Sequence, residues 1–180
     1  NTFGYLYAQG VQKKIQKFKN VNLAADIILK LSKKNTIIPK LDKNTLVIHM
    51  RLGDVINLFL TKYADQVVGK VPNLKKILYE IQEIQKQSKS ITKILIITAF
   101  HFGKHPFKHG ETEDSTAFLK YFISRIPSRF RVEIKSSTDP DIDLMYLSFA
   151  QHLILSCDSG FGILAKDINM CLKTRRHSKT

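Results

Sequence analysis

The segment TLVIHMRLGD, residues 45–54, places side chains that could bind an anion or move a proton directly after a run of aliphatic residues. Arg51 carries a planar guanidinium that can donate two parallel hydrogen bonds to a phosphate and stays charged. Gly53 would let the backbone turn tightly and approach a ligand closely. Asp54 is our first candidate for a general base and His49 is our second. The alternatives are an Arg51–Asp54 surface pair that only caps the turn, and a core histidine without a chemical role.

A second segment, SCDSGFG at residues 156–162, joins a short aliphatic run to a helical pattern. Its hydroxyl residues and glycines would expose backbone N–H groups at the helix N-terminus, which is a favourable place for a phosphate. Ser159 could add a hydroxyl donor, while ordinary helix capping by Asp158 or Ser159 is the alternative. The upstream segment DPDID, residues 139–143, is also expected to cap a helix, although its carboxylates could reach a ribose or a base.

Three histidines, His101, His105 and His109, follow another aliphatic run. Their spacing would align them on a helix, but Gly103 and Pro106 oppose a helix there, and no carboxylate stands at the spacing of a zinc protease. We therefore predict a loop over a cleft and no metal site. The chain also contains neither a G-x-x-x-x-G-K-(S/T) loop nor a G-x-G-x-x-G motif, so neither a P-loop nor a standard dinucleotide fingerprint is predicted.

From Thr45 onward the sequence alternates between strand and helix patterns. These strands and helices must position the residues named above. Strands joined by single helices require parallel pairing, so we predict an α/β fold with a three-layer, Rossmann-like parallel sheet. Ligands in such sheets bind outside the carboxyl ends of the strands, where the polar residues above are located. The predicted strands are 45–50, 93–100, 129–135 (near an edge) and 152–156, and the predicted helices are 72–87, 113–126, 139–151 and 160–172.

The net charge of +14 is unevenly distributed along the 180 residues. Residues 1–40 carry a net +7, residues 173–180 carry +4, and the long middle part carries +3. This predicts a basic helical N-terminal segment (1–40), a Rossmann-like ligand-binding domain (41–172) and a basic tail (173–180). A nucleic-acid partner is disfavoured, because such proteins concentrate charge on the reading face, but a nucleic-acid-binding protein that uses the basic termini is kept as an alternative.

The composition restricts the class of protein further. The hydrophobic content of 43% and the charged content of 24% are typical of a folded globular chain. No apolar run approaches the roughly 20 residues of a membrane span, so no membrane span is expected. Cys157 and Cys171 match no zinc spacing and are too few for a disulfide framework, which favours a reduced, cytoplasmic location.

Two motifs, HMRLGD at residues 49–54 and DIDLMYLSFAQHLILSCDSGFGILA at residues 141–165, together resemble the signatures of the α1,2-fucosyltransferase-like glycosyltransferases. The first signature is His-x-Arg-x-Gly-Asp. The later one is an acidic residue, Leu-Met and a hydrophobic helix, then His-x-Ile-x-Ser, small hydroxyl residues and an aromatic residue. The resemblance covers roughly residues 41–168. The matching positions of the later motif are Asp143, Leu144, Met145, His152, Ile154, Ser156, Ser159 and Phe161.

This resemblance implies the nucleotide-sugar-binding half of a GT-B glycosyltransferase that inverts the anomeric centre and needs no metal or cofactor. The implied donor is GDP-fucose and the implied acceptor is a glycan hydroxyl. Arg51 would contact the donor pyrophosphate, and His49 would shape the donor site. The positions implied for donor binding are Arg51, Gly53, Asp143, Ser156, Asp158, Ser159, Gly160 and Phe161.

The chain departs from the family pattern in two places. Leu52 stands where a second arginine is common, and the chain contains no tryptophan, although a tryptophan-rich continuation is usual in the family. Other GDP- or UDP-sugars therefore remain alternative donors. A non-catalytic protein that binds nucleotide sugars remains an alternative function.

Overall fold

The computed structural model describes residues 20–34, 41–53, 55–56, 71–99, 111–136 and 139–178. In these ranges the chain alternates between helices and strands and forms an α/β fold, as the sequence predicted. The strands are β1 (Thr45–Arg51), β2 (Lys93–Ala99), β3 (Arg131–Ser136) and β4 (His152–Leu155). The helices are α1 (Val21–Lys34), α2 (Leu74–Gln87), α3 (Glu111–Arg125), α4 (Pro140–Phe149) and α5 (Gly160–His177).

All four strands are parallel and lie in the order β3-β2-β1-β4. Successive side chains of a strand point to opposite faces, so β1 contributes to two cores. Leu46 and Ile48 pack with α2 and α3, whereas Val47 packs with α1, α4 and α5. The result is a three-layer, Rossmann-like sandwich. None of the helices in the described ranges is both long and apolar enough to cross a bilayer.

The strand order defines where a ligand site belongs. The chain runs from β1 to β2 and β3 on one side and then returns to the other side of β1 for β4. The order therefore reverses between β1 and β4, and open α/β sheets bind ligands at this switch point. The last register pair of these two strands is His49 with Leu155, so β1 extends beyond β4 to Arg51.

Strand β3 is an edge strand, as its alternating pattern predicted. Its Ile134 is exposed to solvent. A salt bridge between Glu133 of β3 and Lys93 of β2, at 2.7 Å, spans the two strands on one face. Charged side chains on an edge strand oppose unwanted pairing with other chains.

The division of the chain at residues 40 and 172 stays a prediction; within the described ranges, helices α1 and α5 contribute to the same core. Helix α1 places Ala25 and Ile28 in the core of the sandwich. Helix α5 continues to His177, through most of the segment predicted to be a basic tail. There Arg175 donates to Asp26 of α1 at 2.6 Å. The composition gave no sign that these helices pack in the core, because a lysine-rich helix can still carry an apolar stripe.

Asn169 of α5 binds the end of helix α4. Its buried side-chain nitrogen Nδ2 donates to the carbonyl oxygens of Leu147, Ser148 and Ala150 at 3.2, 3.0 and 2.6 Å. The last carbonyl groups of a helix have no partner within the helix. Asn169 supplies the hydrogen bonds that water would make to these carbonyl groups if they were exposed.

We predict that Asn169→Ala lowers the free energy of unfolding by about 1–3 kcal/mol, because it leaves buried carbonyl groups without a donor. Urea denaturation followed by circular dichroism measures this. The matched control is Met170→Ala at the next, exposed position, which should change stability by less than about 0.5 kcal/mol. Equal effects of the two variants would contradict the prediction.

Candidate functional site

Ser156 joins three segments at the carboxyl rim between β1 and β4. Its N–H donates to the carbonyl oxygen of His49 at 2.9 Å, and its carbonyl oxygen accepts from the N–H of Asn73 at 3.2 Å. Its hydroxyl oxygen accepts from the backbone N–H of Arg51 at 3.1 Å. The end of β1, the turn after β4 and the start of α2 are therefore held together at the switch point.

Two helices begin beside this rim. Helix α5 is capped by Ser159, whose Oγ accepts from the N–H of Gly162 at 3.0 Å. Helix α2 is capped by Asn73, whose Oδ1 accepts from the N–H of Lys76 at 3.0 Å. The two helices pack on opposite faces of the sheet. Each N-terminus carries a partial positive charge, so both helices favour an anion at the rim that ends with Arg51.

Asn73 is a contributor that the sequence analysis missed. The available signal was Pro72-Asn73 in front of an amphipathic helix, which is a typical start for a helix. The predicted helix 72–87 has this start, but its N-terminus was not among the predicted site positions. Its contact with Ser156 joins positions far apart in sequence, so no local pattern could reveal it.

Gly53 turns the chain after β1 as predicted. Its φ angle of 77° lies in the left-handed region, which glycine adopts without the steric cost of a side chain. Its N–H donates to Oγ of Ser115 on α3 at 2.9 Å. Ser115 is fully buried and was also missed, because a single serine in a helical pattern carries no signal of a contact with a distant turn.

His49 is only 9% exposed and lies against the first turn of α5. A Cβ atom added to Gly162 would lie 3.1 Å from Nδ1 of His49 and 2.9 Å from Oγ of Ser159, so glycine is what permits this close packing. The ring centroids of His49 and Phe161 are 5.5 Å apart. Burial, and then the positive charge of Arg51, lower the pKa of His49 to about 4.

A histidine with this pKa is neutral at pH 7 and accepts protons weakly. Its Nδ1 atom has no hydrogen-bond partner among the described residues. The environment of His49 therefore favours a role in shaping the site over the role of general base.

Asp143 is a buried carboxyl group, 6% exposed, in the first turns of α4. Its pKa is raised to about 7, chiefly by burial; Lys135 opposes this shift and Asp139 adds to it. Its Oδ1 atom has no hydrogen-bond partner within the described ranges. Near neutral pH this group can either donate or accept a hydrogen bond. The charges that act on it belong to β3 and to the start of α4, and no described hydrogen bond joins it to the turn at Ser156.

Three further residues that were predicted to bind the donor follow β4 in the chain. Asp158 is exposed in the turn, Gly160 begins α5, and Phe161 is half-buried. Because Oγ of Ser159 caps the helix, the capping role that we considered for this residue is confirmed. The Ser159 hydroxyl could also donate to a phosphate while it caps the helix, because a hydroxyl group can accept and donate at once.

The segment DPDID behaves as the sequence predicted. Asp139 is the N-cap of α4 and accepts from the N–H of Asp141 at 2.9 Å, and Pro140 begins the helix. His152, which matched the later motif, starts β4 and pairs with Leu46, well before the rim. Burial, and then Lys173, lower the pKa of His152.

Asp54 and the three histidines of the predicted loop lie outside the described residues. The role of Asp54 as a general base therefore stays a prediction. Where side chains are described, no group of three or more histidine, cysteine or acidic residues is arranged to hold a metal ion.

Comparisons with known proteins add no family assignment: no protein-family model matches the chain, and no curated protein is significantly similar to it. The likeness to fucosyltransferases therefore depends on the two motifs alone.

We predict that Asp143 makes the protein less stable as the pH rises. The folded chain holds the proton of Asp143 up to a pKa of about 7, whereas the unfolded chain releases it near 3.8. Between these values the folded state binds more protons, so this contribution to the free energy of unfolding falls as the pH rises through the window. Asp143→Asn removes the ionisation and should be more stable than the parent above pH 7, by roughly 2–4 kcal/mol.

Urea denaturation at a series of pH values from 4 to 8 measures this difference. Asp42→Asn, at an exposed position before β1, is the matched control and should not reproduce the gain in stability of Asp143→Asn. A difference between Asp143→Asn and the parent that does not grow with pH would contradict the assignment.

Proposed function

We propose that this chain binds a nucleotide sugar at the rim between β1 and β4 and transfers the sugar to a glycan hydroxyl, with inversion and without a metal. The proposal is based on one observation. Through Ser156, the end of β1 with Arg51 is hydrogen-bonded to the turn that leads into α5 and to the start of α2. A cationic residue and two helix N-termini at a switch point suit a diphosphate.

The reaction would use these groups at the leaving phosphate. The bond between the anomeric carbon and the β-phosphate oxygen breaks, and its electron pair leaves with the nucleoside diphosphate. Negative charge grows on the phosphate oxygens, where the guanidinium of Arg51 and the helix N–H groups would stabilise it more strongly than in the bound donor. The acceptor oxygen attacks the opposite face of the sugar and loses its proton to a base.

Asp54 is the proposed base, because His49 is buried and has a low pKa. In this proposal His49 and Phe161 shape the donor site, and Asp143 contacts the ribose or the base. The similarity to fucosyltransferases favours GDP-fucose, and Leu52 keeps other GDP- or UDP-sugars as alternative donors. A cytoplasmic location stays a prediction.

A non-catalytic protein that binds nucleotide sugars is the second candidate function. The environment of His49 favours it, because this candidate base is neutral, buried and weakly basic. Such a protein would bind the donor at the same rim but would neither hydrolyse nor transfer it.

We predict that Arg51→Ala weakens the binding of the preferred donor at least about tenfold and slows its turnover by roughly 10²–10³, as is typical for the loss of one such electrostatic contact. Mass spectrometry of donor hydrolysis across GDP- and UDP-sugars identifies the donor, and calorimetry measures its binding. The matched control is Arg129→Ala, which removes an exposed arginine before β3.

Three outcomes are informative. Loss of binding in Arg51→Ala but not in Arg129→Ala, with both chains folded, supports the proposal. Donor binding without hydrolysis or transfer by the parent supports the non-catalytic alternative. Unchanged binding by Arg51→Ala, or no binding of any nucleotide sugar by the folded parent, contradicts both.

A further inference from the structure

The two faces of the sandwich differ in charge. On one face, α1 carries a net +2, α5 a net +3 and α4 a net −2. On the opposite face, α2 carries +1 and α3 carries −1, so those two helices together are neutral. Most of the chain's positive charge lies at its two ends, and the fold brings part of each end to the same face.

Direct contacts hold α1 and α5 side by side. Arg175 donates to Oδ1 of Asp26 at 2.6 Å and to the carbonyl oxygen of Asn22 at 3.2 Å. Sγ of Cys171 donates to Oδ1 of Asn22 at 3.2 Å. Asp26 is the one acidic residue in the sequence of α1, and it is used within this contact. Lys30 and Lys33, further along α1, are exposed to solvent.

The exposed positions recur at helical spacing. On α5 they include Ile163, Lys166 and Met170, and on α1 they include Leu23, Lys30 and Lys33. Residues at these spacings share one side of a helix, so each helix presents lysines and large aliphatic side chains together. Leu23 is 55% exposed, Ile163 is 42% exposed and Met170 is 49% exposed. We call this surface the basic face; its residues are Leu23, Lys30, Lys33, Ile163, Lys166 and Met170.

We propose that the basic face docks on an anionic lipid bilayer. Lysines attract anionic headgroups and can extend their long side chains along the interface, while exposed aliphatic side chains enter the boundary with the acyl chains. A surface for single-stranded nucleic acid would instead present aromatic rings for base stacking. The large exposed aromatic residues of the described ranges, Tyr79 and Tyr121, lie on the neutral face formed by α2 and α3.

This inference does not depend on the proposed enzymatic activity. It concerns a helix surface rather than the rim of the sheet. It assigns a role to the positive charge of α1 and α5, which the proposed sugar transfer does not use.

Sedimentation of the full chain with lipid vesicles tests the proposal. Binding to vesicles of phosphatidylcholine and phosphatidylserine in equal amounts should exceed binding to pure phosphatidylcholine and should fall as salt is raised. The double variant Lys30→Glu/Lys33→Glu should bind the anionic vesicles about tenfold more weakly or worse. Its matched control is Lys75→Glu/Lys76→Glu on α2, which changes the net charge equally on the neutral face.

The aliphatic part of the proposal has its own pair of variants. Leu23→Ser/Met170→Ser should weaken binding to anionic vesicles severalfold, whereas Tyr79→Ser/Tyr121→Ser should not. Circular dichroism and urea denaturation verify that each variant is folded. Absence of vesicle binding by the parent, or equal loss in the basic-face and control variants, would overturn the proposal. So would tighter binding to a single-stranded oligonucleotide that is lost in the same basic-face variants.

Discussion

Three hydrogen bonds made by the backbone and hydroxyl of Ser156 hold the rim on which the candidate site depends. Parallel strands end on the same side of a sheet, but that geometry alone leaves their following turns free to diverge. Ser156 removes this freedom, because it bonds at once to His49 and Arg51 on β1 and to Asn73 before α2. It is buried, so water competes little with these bonds. Through this one residue the backbone at Arg51, the turn that leads into α5 and the start of α2 are joined.

The titratable group His49 contributes to the electrostatic character of this rim. Burial, and then the positive charge of Arg51, lower the pKa of His49 to about 4, so His49 is neutral at pH 7. The lasting positive potential then comes from Arg51 and from the partial charges of helix N-termini. In the proposed function this potential would stabilise the negative charge that grows on a departing diphosphate.

The sequence predicted the elements of this fold better than their contacts. Period-two and continuous aliphatic runs predicted the four strands, and capping residues such as Asp139 and Pro140 predicted a helix start, because these signals are local. The place of Asn73 and Ser115 in the site could not be predicted, since both act through partners on other elements. The continuation of α5 to His177 was missed for a related reason: its last turns are stabilised by Asp26, far away in the sequence.

The most direct test of the account is an amide NMR titration of the ¹⁵N-labelled chain with GDP, and with UDP in parallel. If the rim between β1 and β4 holds the diphosphate, one nucleotide should shift the backbone amides of Arg51, Gly53, Ser159, Gly160 and Gly162 strongly and in a saturable way. The amide resonances of residues at the opposite end of the sheet, such as Thr45 and Lys93, should not shift. Saturable shifts confined to other parts of the fold, or no shifts with either nucleotide, would contradict the central claim.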